Sequence, residues 1–302
     1  MTAPLPSDDG AIDARPPVTP DPASTLSLSQ TAVIVGSLVA SGLLASSDPF
    51  LGLLAILGFA GAFLSGLVGI GGAIVMIPLL LFVPPALGFE TLDFRTVAAI
   101  TIVQVAVAST AGAIGHRGRV DRSLVIAIGV PMTVASFVGA MASAVIEPVV
   151  LEAVFATMAA AAAILTLRRR RRTAVDQPGP IAFNRPGAAG LGAGVGGLAG
   201  MVGAGGAFLL IPGMLFGLRI PMRAAVAASL VVVAFAASAG VVGKAATGQI
   251  DWLLAAGLVA GAIPGGLLGT LVSHRTKVEH LATVLGIIVG LVALRMWVEI
   301  LS

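Results

Sequence analysis

The sequence predicts an all-α fold: a polytopic helical membrane protein made of two homologous repeats, each a glycine-broken helix followed by three transmembrane helices, with one extra helix in front. Three observations predict it. Only 10% of the 302 residues are Asp, Glu, Lys or Arg and 57% are hydrophobic, whereas soluble domains carry about 25% charged residues; the mean hydropathy is +1.06. Charge-free runs repeatedly reach the roughly 20 residues a helix needs to cross about 30 Å of hydrocarbon. The third is a repeat: Phe63–Phe82 (FLSGLVGIGGAIVMIPLLLF) and Gly197–Phe216 (GLAGMVGAGGAFLLIPGMLF) agree at 11 of 20 columns with a constant offset of 134.

The chain opens on a polar stretch, residues 1–27, rich in Pro, Asp and Ser with Arg15 as its sole basic residue. That composition predicts a disordered tail. The first apolar run begins near Leu28, too late for a cleaved signal peptide, so residues 28–47 read as a retained extra helix. Residues 50–167 form the first repeat and residues 187–302 the second. Between them, residues 168–186 read as a cytoplasmic linker holding Arg168 to Arg172, Asp176, Pro178, Pro180 and Pro186. Beyond the glycine motif the repeats stay in step with small gaps: Phe94-Arg95 matches Met222-Arg223, Ser109–Gly112 faces Ala237–Gly240, and Val120-Asp121 faces Ile250-Asp251. Duplicated helical units are a common plan for secondary transporters, whose sites lie between the repeats.

The charge-free run from Pro49 to Phe89 would extend about 60 Å as one helix, so something must interrupt it. Gly69, Gly71 and Gly72, and in the second copy Gly203, Gly205 and Gly206, lower the cost of leaving helical geometry. Pro78 and Pro212 each remove a backbone donor and free a carbonyl in the preceding turn. Unwound backbone at membrane depth needs protein or a water-filled cavity around it, and its free N–H groups attract an anion without any charged side chain. Close helix packing is the competing use of such glycines. Two copies of the same cluster with the same trailing proline favour a shared broken-helix site.

These paired motifs, Gly66-Leu67-Val68-Gly69-Ile70-Gly71-Gly72 with Pro78 and Gly200-Met201-Val202-Gly203-Ala204-Gly205-Gly206 with Pro212, resemble the TauE/SafE family of sulfite-exporter-like permeases over nearly all of the chain after residue 50. The resemblance implies a multi-pass carrier of the bacterial inner membrane for sulfite, sulfonates or other organosulfur or organic anions. Ala73 and Ala207 stand where that family usually has a third glycine, and the helix before residue 50 lies outside its core pattern.

Polar groups at membrane depth are costly and mark candidate function. Thr101 and Gln104 lie one turn apart on the helix after the first motif, and Ser229 holds the place of Thr101 in the second half. Their donors suit an oxyanion, although Ser and Thr more often bond their own helix backbone. With the six glycines and two prolines they make up the expected substrate site. Arg95 and Arg223 head equivalent helices, where they guide an anion or mark the membrane interface. His116 aligns with Lys244 at the far ends of those helices; both are expected to snorkel, with a gating or proton-linked role open to His116.

The net charge of +3 and the pI near 10.5 arise mainly from Arg168 to Arg172, directly after an apolar segment. Positive charge there marks the cytoplasmic side rather than a nucleic-acid partner. With no Cys and only His116, His274 and His280, neither metal nor cofactor is expected. No carboxylate pair or Ser-His-Asp set sits in the apolar runs, so an enzyme is not expected. A Gly-x4-Gly-Lys loop is also missing, so ATP coupling would need another chain. The expected partners are a small anionic substrate, the lipid bilayer, a proton or ion gradient and a second copy of the chain. The alternative function is a non-transporting subunit that anchors or regulates a partner complex. The positive-inside rule puts His116–Arg122, Arg168–Arg172, Arg219–Arg223 and His274–Lys277 on one side only if the second glycine-broken segment enters and returns, which inverts the halves; a single crossing makes them parallel.

Overall fold

The computed structural model describes residues 28–68, 73–115, 121–168, 183–273 and 278–301. Among them the chain forms eleven helices and no strand. They are α1 Leu28–Ser47, α2 Pro49–Val68, α3 Ala73–Ala86, α4 Phe94–Gly115, α5 Arg122–Ala142, α6 Pro148–Arg168, α7 Arg185–Val202, α8 Ala207–Pro212, α9 Met222–Ala246, α10 Trp252–Ser273 and α11 Val278–Leu301. A π-helical turn, Gly213–Gly217, prolongs α8. Six helices, α2, α4, α5, α6, α9 and α10, contain stretches long and apolar enough to cross a membrane. The polar tail, the glycines at 69, 71 and 72, His116 and the linker between Arg168 and Phe183 lie outside the described residues.

Aspartates start four of the helices. Asp48, Asp93, Asp121 and Asp251 accept from backbone N–H groups of Phe50 (2.8 Å), Thr96 (3.3 Å), Ser123 (2.8 Å) and Leu253 (2.9 Å), which satisfies donors the first helical turn leaves open. The sequence match of Asp121 with Asp251 is thus a shared capping residue for α5 and α10. Once started, α5 turns Ile126, Val130, Val134 and Val138 outward, each exposed. An apolar stripe of this kind facing outward suits lipid, not water.

Close approaches at glycines fix the helix directions. A methyl group added at Gly257, Gly261, Gly265 or Gly269 of α10 would meet, in that order, Leu51, Ala55, Phe59 and Phe63 of α2. The two helices therefore run parallel with their backbones nearly touching, as small residues allow in a membrane. Helix α7 lies on α5 in the same sense: Gly192, Gly196 and Gly200 face the carbonyls of Ile128, Met132 and Ser136. At the centre α4 and α9 run antiparallel, with Gly112 against Leu230 and Gly240 against Ile102. Helix α6 packs on α11, and α1 packs on α2 and α10. Helices that correspond in sequence, α2 with α7, α4 with α9 and α5 with α10, thus hold exchanged places with reversed direction.

Both broken segments enter and return. Gly61 of α2 meets Met76 of α3, and the Phe50 and Phe89 rings lie 5.7 Å apart, so α3 comes back to the end where α2 began. On the other side Gly206 meets Val195, Gly213 meets Leu191, and Gly187 meets Leu218, so α8 comes back along α7. One end of the bundle consequently gathers Arg122, Arg168, Arg185 and Arg219 with the start of α9, while the opposite end gathers Asp48, Glu90, Asp93, Glu147 and Asp251.

Candidate functional site

Helix α7 stops at Val202 because the next residues leave helical geometry. Gly203, Gly205 and Gly206 have φ of 70°, 65° and 76°, in the left-handed region that glycine alone enters freely. Gly203 and Ala204 both donate to the Ala199 carbonyl, closing the end of α7. The glycines are needed for space as well: a Cβ at Gly203 would strike the Ala98 carbonyl, and one at Gly205 would strike Val105. All four residues of this tip, 203–206, are buried. Among the described residues no acceptor meets the N–H of Gly205 or Gly206.

The same contacts fix the depth of the tip. Gly205 stands between Val105 of α4 and Val233 of α9, corresponding residues near the midpoints of two spanning helices. Ala98, Thr101 and Val105 share one stripe of α4, so Thr101 sits between the two residues that the tip touches. The Oγ1 of Thr101 and the Oε1 of Gln104 are buried with no hydrogen-bond partner among the described residues. An unsatisfied buried polar group costs about 1–3 kcal/mol, so the two, with Thr101 between the tip's contacts and Gln104 one turn away, are not explained by packing alone.

The structure separates the remaining expected site residues. Ser229 donates from its hydroxyl to the Val226 carbonyl at 2.8 Å, the ordinary fate of a helical serine, and Val232 takes the place of Gln104. The polar lining is therefore one-sided. Pro78 is buried within α3, and Pro212 ends α8 at the junction with the π-helical turn, so both prolines shape returning limbs. Gly200, by contrast, serves packing, since a Cβ there would strike the Ser136 carbonyl. Arg95 opens α4 at the acidic end and donates from Nη2 to the Ile146 carbonyl at 2.7 Å. Arg223 lies in the first turn of α9 at the basic end. His116 and the glycines at 69, 71 and 72 lie outside the described residues.

Lys244 corrects the expectation of a snorkelling side chain. It is 0% exposed, and its ammonium donates to the Ser143 hydroxyl at 2.8 Å and to Gln249 Oε1 at 3.1 Å. The α5–α6 turn and the α9–α10 turn fold over it, an arrangement that a helix-end position in the sequence does not reveal. No group of three or more His, Asp or Glu suited to a metal ion occurs among the described residues.

A family model described as sulfite exporter TauE/SafE matches residues 54–296. The chain belongs to the TauE/SafE family. Its relatives include a "Probable membrane transporter protein" of Xylella fastidiosa (strain 9a5c), 28% identical over 253 residues, which are 80% of this chain and 94% of that one. The same name and the same figures hold for a protein of Xylella fastidiosa strain Temecula1. "Probable membrane transporter protein YunE" of Bacillus subtilis is 30% identical over 105 residues, covering 35% of this chain and 38% of that one. No solved structure matches. The TauE/SafE chain is thus a multi-pass membrane protein of a transporter family. At mid-depth the open N–H groups of the tip and the Thr101 hydroxyl on α4 are donors able to meet an oxyanion without a fixed opposite charge, whereas the unpartnered Oε1 of Gln104 is an acceptor.

Proposed function

We propose that the chain is a secondary carrier of a small oxyanion, with sulfite and sulfonates as the first candidates, held at the centre of the bundle beside the second glycine tip. One observation carries the reading: a buried left-handed tip with open N–H groups at Gly205 and Gly206 lies beside Thr101, at the level where Thr101 and Gln104 are buried and unpartnered. Successive N–H groups in such backbone attract anions by partial charge. Weak binding of this kind favours turnover, because a carrier must also release its cargo. Gly69, Gly71 and Gly72, outside the described residues, correspond in sequence to Gly203, Gly205 and Gly206 and belong to the same proposed site. The two repeats, 50–167 and 187–302, act as inverted halves, and tilting one hairpin against the other opens the centre to one side at a time. A proton or ion gradient drives net movement, and the basic end faces the cytoplasm of a bacterial inner membrane.

Uptake of labelled sulfite and methanesulfonate into proteoliposomes tests this. The wild-type chain is expected to carry at least one of them, and Gly205→Val, which drives a branched side chain into Val105 at a left-handed φ, is expected to abolish flux. No flux of either anion with the wild type sinks the carrier reading. Full flux in both Gly205→Val and the double variant Thr101→Val/Gln104→Leu sinks the site.

A further inference from the structure

Two cations at the acidic end take no part in the central site. Lys244 is fully buried on the Ser143 hydroxyl and the Gln249 amide oxygen. Arg95 reaches the Ile146 carbonyl with Nη2, while its Nε is buried and without a partner. Ser143 and Ile146 belong to the one short turn between α5 and α6, so both cations converge on it. All of their partners are neutral. Carboxylates are plentiful at this end, at Asp48, Glu90, Asp93, Glu147 and Asp251, yet among the described residues none forms an ion pair with either cation. Arg295, on α11, does find one, in Glu299 at 3.0 Å.

A buried cation without opposite charge is unfavourable, because the Ser143 hydroxyl and the Gln249 amide solvate the ammonium without neutralising it. Arg95 and Lys244 lie about 15 Å along α4 and α9 from the Gly205 tip, at 1.5 Å per residue. One turn separates Arg95 from Ala98, whose carbonyl meets Gly203. The pair therefore stands at the acidic end, where α4 and α9 lead inward to the tip.

We propose that Lys244 and Arg95 form an outer anion station, where a small oxyanion is held by these two unneutralised cations at the α5–α6 turn before it moves to the tip. This proposal rests on the carrier reading for the direction of that movement, though not for binding itself. Cations also cap helix C-termini. If that were their whole role, removing them would lower stability and leave anion affinity unchanged.

Two readouts on Lys244→Met and Arg95→Gln separate the possibilities: the half-saturation concentration for sulfite uptake in proteoliposomes, and the rise in melting temperature that sulfite, sulfate or methanesulfonate gives the purified chain over chloride. The expected result is a half-saturation concentration raised about tenfold or more in each variant, the scale of a lost charge-assisted hydrogen bond, together with loss of the anion-dependent stabilisation. Wild-type stabilisation that both variants lose, without flux in any protein, keeps the station and overturns the carrier reading. Wild-type flux with unchanged half-saturation and unchanged stabilisation in the variants overturns the station alone. Neither flux nor stabilisation in the wild type overturns both. Should Lys244→Met fail to fold, the half-exposed Arg95 decides, and an unchanged Arg95→Gln overturns the proposal.

Discussion

Thr101 and Ser229 occupy matching places in the two repeats, yet only Thr101 has a hydroxyl left over. Ser229 spends its proton on the Val226 carbonyl, whereas Thr101 Oγ1 is buried and unpartnered. Thr101→Val keeps the shape and removes the hydroxyl, so a packing role predicts no loss of stability and no change in transport. A ligand role predicts that the half-saturation concentration for anion uptake rises about ten- to hundredfold, the worth of a hydrogen bond to a charged group, while Ser229→Ala leaves it unchanged. Both hydroxyls were legible as candidates in the sequence. Which of them turns back on its own helix was not, because that choice is made by the rotamer and by what the opposite wall offers. The burial of Lys244 was hidden for a related reason: its partners Ser143 and Gln249 come from turns that the sequence places far from it or just beyond its helix.

At the scale of the element, the glycines divide into two kinds that the sequence shows as one. Gly203, Gly205 and Gly206 break the chain by adopting positive φ, while Gly192, Gly196, Gly200, Gly261 and Gly265 stay helical and let backbones touch. Of the two clusters that the sequence singles out, the described one breaks its helix at Gly203, Gly205 and Gly206 and also packs closely on α4, while packing alone falls to glycines outside it. Gly261→Ala forces a methyl group onto the Ala55 carbonyl and is expected to lower stability by about 1–3 kcal/mol, as overpacking does. Gly194→Ala, with nothing within 4 Å of the new methyl, is expected to be neutral or to stabilise by up to about 1 kcal/mol from helix propensity. Thermal inactivation in detergent reads both. The start of α5 makes a pH-dependent prediction. The Ser123 hydroxyl, 2.8 Å from Asp121, together with the backbone N–H groups of Ser123 and Leu124, holds its carboxyl below the usual range. A depressed folded-state value means that this stabilisation is complete above the unfolded value of about 3.9 and fades as pH falls through the folded one. Asp121→Ala is thus expected to cost about 0.5–2 kcal/mol near neutral pH, with wild type and variant converging in melting temperature below pH about 4.

For the whole molecule, the repeat was legible because glycine order and a trailing proline survive duplication, but the relative direction of the halves was not, since a motif reads the same whichever way it crosses. Contacts decide it: α4 opposes α9, α7 follows α5, and α8 doubles back along α7. The loop arginines Arg122, Arg168, Arg185 and Arg219 then fall together at one end, as the positive-inside rule favours, with Arg95, Lys244 and Arg295 at the other, whereas a single crossing by the second glycine segment would have moved Arg219 to the acidic end. The chain has no cysteine, so single cysteines report their side without background. Arg122→Cys and Arg219→Cys, both exposed at the basic end, are expected to react with a membrane-impermeant maleimide only when the cytoplasmic face is open to it. Glu90→Cys and Val145→Cys, exposed at the other end, are expected to react in intact cells. Arg219→Cys is the deciding position. Labelling it from outside, while Arg122→Cys stays protected, would put the two residues on opposite sides, restore the parallel arrangement, and remove the inverted pair of hairpins on which the proposed alternating exposure of the central tip depends.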